Sequence, residues 1–207
     1  MNPLLTIWTQ PKRTIEYVLE HKTWSYSVFI LALTSLSLGL TVFENSGFLL
    51  GLPLIAIVMI GIIFSFTGGV IGWFINAGLY TWVGKWLGGS GNFKDMATVT
   101  LLGSIPMIWI FPFNFLMLAI YGKDLFIDSS TTPFSGPVPF GVTLFSNLLM
   151  IGLGVFSTVI VSKSIGVVHQ FSAWRGFGTI MIIVGILLAL MIPFFILLFM
   201  FLFMVGV

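Results

Sequence analysis

The sequence predicts an all-α integral membrane protein with five transmembrane helices and a short amphipathic helix at the membrane interface before them. Three observations carry this. Of 207 residues, 58% are hydrophobic and 7% are charged, whereas a soluble domain carries roughly a quarter charged residues. Apolar stretches occupy about residues 26–43, 48–87, 97–121 and 140–162, and a last one runs from 177 to the end. Each suffices for a spanning helix, which needs about 20 residues for roughly 30 Å of hydrocarbon. The third observation is the placement of the Lys and Arg residues, which collect on one side if the spans number five.

The segment 1–25 is different in kind from the rest. Ile15, Val18 and Leu19 share one helical face while Lys12, Arg13, Glu16 and Glu20 lie elsewhere, the pattern of a helix lying in the interface. Pro11 suits the first helical position, where its missing N–H costs nothing. Trp8 suits headgroup depth. No signal peptide is evident, because Pro3 to Lys22 mixes acidic with basic residues and lacks an apolar core followed by a cleavage site. The first span, 26–43, is expected to serve as its own insertion signal.

The stretch 48–87 reads either as one long helix over 52–87 or as two short ones with a hairpin near Gly68-Gly69. One helix, with the N-terminus inside, puts Lys12, Arg13, Lys22, Lys85, Lys94, Lys163 and Arg175 on the inner side and leaves Lys123 alone outside. A hairpin evens the count at four against four, so the positive-inside tendency selects five spans. Along this helix Gly61, Ser65, Gly68, Gly72 and Asn76 recur at intervals of three or four, a small-residue face expected to receive a neighbouring helix.

The loop Trp86-Leu87-Gly88-Gly89-Ser90-Gly91-Asn92-Phe93-Lys94-Asp95 fails both the phosphate-loop and the dinucleotide patterns and follows a helix rather than a strand. Gly88 or Gly89 is expected to end one helix in a left-handed conformation, and Asn92 to cap the next with Asp95 as its capping-box partner. Free amides of Gly88, Gly89 and Gly91, with Lys85 and Lys94 beside them, are also placed to meet a lipid headgroup phosphate.

The span 97–121 contains Pro106 and Pro112, so a kink is expected between Ser104 and Asn114, with Asn114 or a neighbouring hydroxyl satisfying freed carbonyls. Pro133, Pro137 and Pro139 make the loop 121–140 irregular. His169 and Arg175 fall in the inner loop after the span 140–162, His169 reading as a structural hydrogen-bonding residue with pH sensing as the alternative. Ser172 is placed to cap the last span, 177–205, which contains Pro193.

Much chemistry is excluded. The chain has no cysteine, hence no disulfide or thiolate site. Its two histidines, His21 and His169, have no convincing set of carboxylate partners in sequence, so no metal site is expected, and no catalytic set or cofactor-binding motif is present. A net charge of +2 gives no footprint for nucleic acid. All six acids, Glu16, Glu20, Glu44, Asp95, Asp124 and Asp128, fall in loops or at helix ends, which argues against an ion-coupled carrier. Asn76, Asn114 and Asn147 read as interhelical hydrogen-bonding residues rather than a pore lining.

Three separated motifs resemble the bacterial branch of the Yip family, the Ypt/Rab-interacting membrane proteins. They are Trp8-x-x-Pro11-x-x-Thr14, then Leu87-Gly88-Gly89-x-Gly91-x-Phe93 with Pro106 in the following span, then His169-x-Phe171-Ser172-x-x-Arg175. The resemblance implies five helices in the bacterial cytoplasmic membrane, a cytoplasmic N-terminus and an extracytoplasmic C-terminus. Eukaryotic relatives act in membrane traffic by binding partner proteins, including small GTPases, and carry a long cytoplasmic N-terminal segment where this chain has a short one. Some bacterial relatives look like accessory subunits of ABC exporters. The function this implies is non-enzymatic binding of partner membrane proteins, as an accessory or assembly subunit of an exporter or stress-defence system, with membrane lipids and a second copy of the chain as further partners. The alternatives are a channel or carrier for a small or lipidic molecule and a headgroup-binding, membrane-shaping protein.

Overall fold

The computed structural model describes residues 1–128 and 136–205; Pro133 lies outside them. The described residues contain helices and turns and no strand. In order they are α1 (Pro3–Thr6), α2 (Pro11–His21), α3 (Trp24–Gly39), α4 (Leu54–Trp86), α5 (Phe93–Thr100), α6 (Ile105–Ile108), α7 (Phe111–Tyr121), α8 (Phe140–His169) and α9 (Ala173–Val205), with 3₁₀ turns at Leu101–Ser104 and Gly122–Phe126.

Three helices are long and apolar enough to cross a membrane: α4, α8 and α9 as far as Phe201. The pair Phe93–Ile108 and Phe111–Phe126, bent by 46°, makes a fourth if its halves are one span. The 16 residues of α3 give about 24 Å, less than the predicted 26–43 stretch and short of a roughly 30 Å core. It stops where α4 crosses it: a Cβ on Gly39 would strike the Ile62 backbone, and one on Gly61 would strike the Gly39 carbonyl.

α4 runs unbroken through Gly68-Gly69 for 33 residues. Its packing face differs from the predicted one. Of the stripe Gly61, Ser65, Gly68, Gly72, Asn76, only Gly61 is buried. A Cβ on Gly68 would meet nothing within 4 Å, and one on Gly72 would meet only Asn76 of its own helix. The neighbour is received instead by Gly61, by Gly69, where a Cβ would lie 2.6 Å from Leu31 of α3, and by Trp73 and Ala77. An apolar helix carries small residues on several faces, and only the partner selects one.

The proline-bearing span breaks as expected, and its exposed carbonyls are taken by side chains of other helices. Trp73 Nε1 donates to Ala97 O at 2.7 Å, Ser27 Oγ to Thr98 O at 2.9 Å and Ser37 Oγ to Met107 O at 2.8 Å. Within the span, Ser104 Oγ donates to Leu101 O at 2.7 Å. Asn114 serves α3 rather than its own span, donating to Ser37 O at 2.9 Å. Irregular backbone at membrane depth is tolerable only where protein supplies such partners.

Two predicted placements change. α8 extends seven residues past 162, so Lys163 and His169 belong to its last turns rather than to a loop. The apolar face of α2 is spent on protein: Ile15 and Val18 are fully buried against the core that includes Ile165 and Val168. Trp8 is likewise inserted between helices, stacked on Phe156 at 4.9 Å and edge-on to Trp109 at 6.5 Å.

Candidate functional site: a histidine clasped by the glycine loop

The loop after α4 is a helix stop of defined geometry. Gly88 takes φ +83°, a left-handed conformation that glycine adopts without a Cβ penalty. Its N–H donates to Lys85 O and that of Gly89 to Gly84 O, both at 3.0 Å, the paired bonds of a Schellman motif. Asn92 then caps α5, accepting from Asp95 N–H at 2.9 Å. The Asp95 carboxylate in turn accepts from the Asn92 side-chain amide at 2.7 Å, a variant of the expected capping box, which would engage the backbone.

The remaining glycines are explained by a residue far along the chain. His169, at the tip of α8, inserts its ring into the loop and is 2% exposed. Its Nδ1 accepts from Gly91 N–H at 3.1 Å, so the ring proton sits on Nε2, which lies 3.2 Å from Tyr80 O and donates to it. The His169 carbonyl accepts from Ser90 N–H at 3.4 Å, and Phe171 stacks on the imidazole with centroids 5.4 Å apart. A Cβ on Gly84 or Gly89 would strike this ring, and one on Gly91 would come within 2.9 Å of it.

This geometry revises the headgroup reading of Gly88, Gly89 and Gly91. Their amides and that of Ser90 all donate within the protein, so the loop backbone offers a phosphate no free N–H among these four. Lys85 and Lys94 remain exposed at its edges. Ser172 is placed to cap α9 as expected, its Oγ 3.4 Å from Arg175 N, and its carbonyl accepts from Gly176 N–H at 3.1 Å. Thr14 is fully buried and bonds Thr6 Oγ1 and Gln10 O at 2.9 Å. Pro11 starts α2, Pro106 is buried in α6, and Phe93 opens α5 facing Phe74 at 6.3 Å.

The three sequence motifs therefore meet at one end of the molecule, with the second and third joined through Gly91 and His169 and α2 packed beside them on α8 and α5. A family model described as the Yip1 domain matches residues 5–197. The chain belongs to the Yip1 family. A search of curated proteins finds no match, and a search of solved structures finds none. In this Yip1 chain the cations also cluster at the motif end: Lys12, Arg13 and Lys163 line one cleft, and Lys22 and Lys94 another.

The opposite end of the Yip1 bundle has a different character. A polar cleft of about 450 Å³ there gathers Glu44, Asn114, Thr143, Ser146 and Asn147, so two of the three asparagines meet while Asn76 stays on α4. Burial pushes the Glu44 carboxyl above its usual range. Among the described residues no group of three His, Asp or Glu is placed to hold a metal ion.

Proposed function

We propose that this Yip1-family protein spans the cytoplasmic membrane of a bacterium five times, with the glycine-loop end inside, and acts without enzymatic chemistry by binding another membrane protein, as an accessory or assembly subunit of the kind that serves an ABC-type exporter. The observation that carries the binding role is the state of α9. From Val184 to Met204 each side chain described is exposed, Phe199 at 71%. A 33-residue apolar helix anchored to its own bundle only by its first turns leaves two-thirds of its length for a partner. The clustering of Lys12, Arg13, Lys22, Lys94 and Lys163 at the motif end supports the orientation.

Because the chain has no cysteine, single cysteines are unambiguous probes. Cross-linking from Leu190→Cys and Phe199→Cys in native membranes should yield one discrete protein adduct, and adducts with lipid alone would overturn the role. Lys123→Cys should label from outside the cell and Ser90→Cys only after lysis. A second reading, passage of a small polar molecule, draws on the Glu44–Asn114–Asn147 cleft; reconstituted flux abolished by Asn114→Leu would favour it.

A further inference from the structure

Two cavities meet at Lys163. One, of about 520 Å³, is lined in part by charged and polar side chains, among them Lys12, Glu16, Lys163, Gln170 and Ser172. The other, of about 530 Å³, runs between α8 and α9 and is almost wholly apolar, with Val155, Val159, Trp174 and Phe177 along it. Lys163 and Ala173 line both. A neighbouring open cleft shares Lys12, Glu16 and Lys163 with the first cavity and adds Arg13.

Charge selects the occupant. Lys163 is half-buried, and among the described residues no carboxylate lies within ion-pair distance of it. Glu16, the one acid in the cleft, pairs with Lys12 at 3.8 Å. Three cations against one acid leave two positive charges in surplus. A half-buried cation without a counter-ion is costly, and an anion seated on it offsets the cost. Lys163 lies six residues before the α8 tip, about 9 Å along the helix. There the exposed Trp174 ring (82%) marks the level where aromatic residues meet headgroups.

The apolar groove alone would accept any hydrocarbon, and the basic cleft alone any phosphate. Their continuity through one lysine fits a molecule that carries both. We propose that this composite site binds an anionic phospholipid, its phosphate on Lys163 with Lys12 and Arg13 nearby and one acyl chain along Val155, Val159 and Phe177. The site is distinct from the glycine loop and from the exposed length of α9.

Native mass spectrometry of the full chain in detergent tests this with phosphatidylglycerol, phosphatidylcholine of the same chains, and soluble glycerol 3-phosphate. Phosphatidylglycerol should bind at least fivefold more tightly than phosphatidylcholine, and glycerol 3-phosphate should not displace it at equal concentration. Lys163→Gln should weaken phosphatidylglycerol about fivefold, the effect of one lysine at an anionic surface, while Lys163→Arg should retain it. Val159→Trp, which fills the groove, should weaken both lipids. A Lys85→Gln, Lys94→Gln double variant should bind like the parent. Equal affinity for the two lipids, an unchanged Lys163→Gln, or displacement by glycerol 3-phosphate would overturn the proposal. So would unchanged lipid binding by Val159→Trp. Each variant is first shown to unfold at the parent's temperature, and an arginine variant that folds but fails to bind also counts against it.

Discussion

The two ends of the bundle are both built from apolar helices yet differ in how they are held. At the glycine-loop end Gly176 approaches the Ser162 carbonyl, three glycines enclose His169, and Trp73 and Ser27 occupy carbonyls of the broken span. At the other end α8 before Phe156 and α9 beyond Ile183 stand largely exposed, and the buried cluster is small, formed by Ile57, Met117, Leu125, Phe126 and Val138. Between helices in lipid, apolarity gives no reason to associate, because the acyl chains are as apolar as leucine. Contact follows small residues and unsatisfied polar groups: the far end has the Gly39–Gly61 crossing and the Asn114–Ser37 bond, and the glycine-loop end has the His169 clasp and the carbonyls of the broken span.

The comparison breaks most directly with a matched pair of glycine substitutions. Gly84→Leu drives a side chain into the imidazole and should cost about 3 kcal/mol, the upper end of the usual overpacking range, read as loss of folded, monodisperse protein in detergent. Gly154→Leu, where a Cβ meets nothing within 4 Å, should leave the unfolding midpoint unchanged. Equal losses would mean that the open half is packed after all. Next in size, His169→Ala removes the ring and leaves the Gly91 amide unpaired, which should cost about 2–4 kcal/mol in denaturant titrations.

Trp73→Phe keeps the ring and deletes the donor to Ala97, with an expected loss of about 1 kcal/mol. A loss below measurement would show that water or a neighbour replaces it. The smallest effect belongs to the opposite end. Burial raises the Glu44 carboxyl in the folded protein, so its ionisation opposes folding: the molecule should be more stable at acid pH and lose stability as pH rises from about 4.3 through the raised value. Glu44→Gln should flatten this slope without moving the clasp, and a steeper slope would contradict the assignment.

Several elements were legible because their cause is local. The Asn92 cap, the stop at Gly88, Pro11 at the start of α2 and the break around Pro106 and Pro112 each follow from one or two residues acting on their own backbone. The small-residue face of α4 was not, because Gly61 belongs equally to the stripe through Gly68 and Gly72 and to the one through Gly69 and Trp73, and α3 alone decides between them. The extension of α8 to His169 was hidden because Ser162, Lys163 and Ser164 read as the polar start of a loop. Ser162 and Ser164 are buried in a part of α8 that packs on its neighbours, and the helix runs on through them. The pairing of Gly91 with His169 left only a run of glycines and a solitary histidine as its trace.

That pairing also imposes an order on the making of the molecule. Gly91 and its ring acceptor are 78 residues apart in the chain, and at roughly 5–20 residues per second the imidazole is synthesised some 4–16 s after the loop. Until then the Ser90 and Gly91 amides have no acceptor from His169, while the local bonds of Gly88, Gly89 and Asn92 can already form. The loop's closing marks the arrival of α8, so a chain truncated before residue 169 would carry a permanently unlatched loop for quality-control proteases to find.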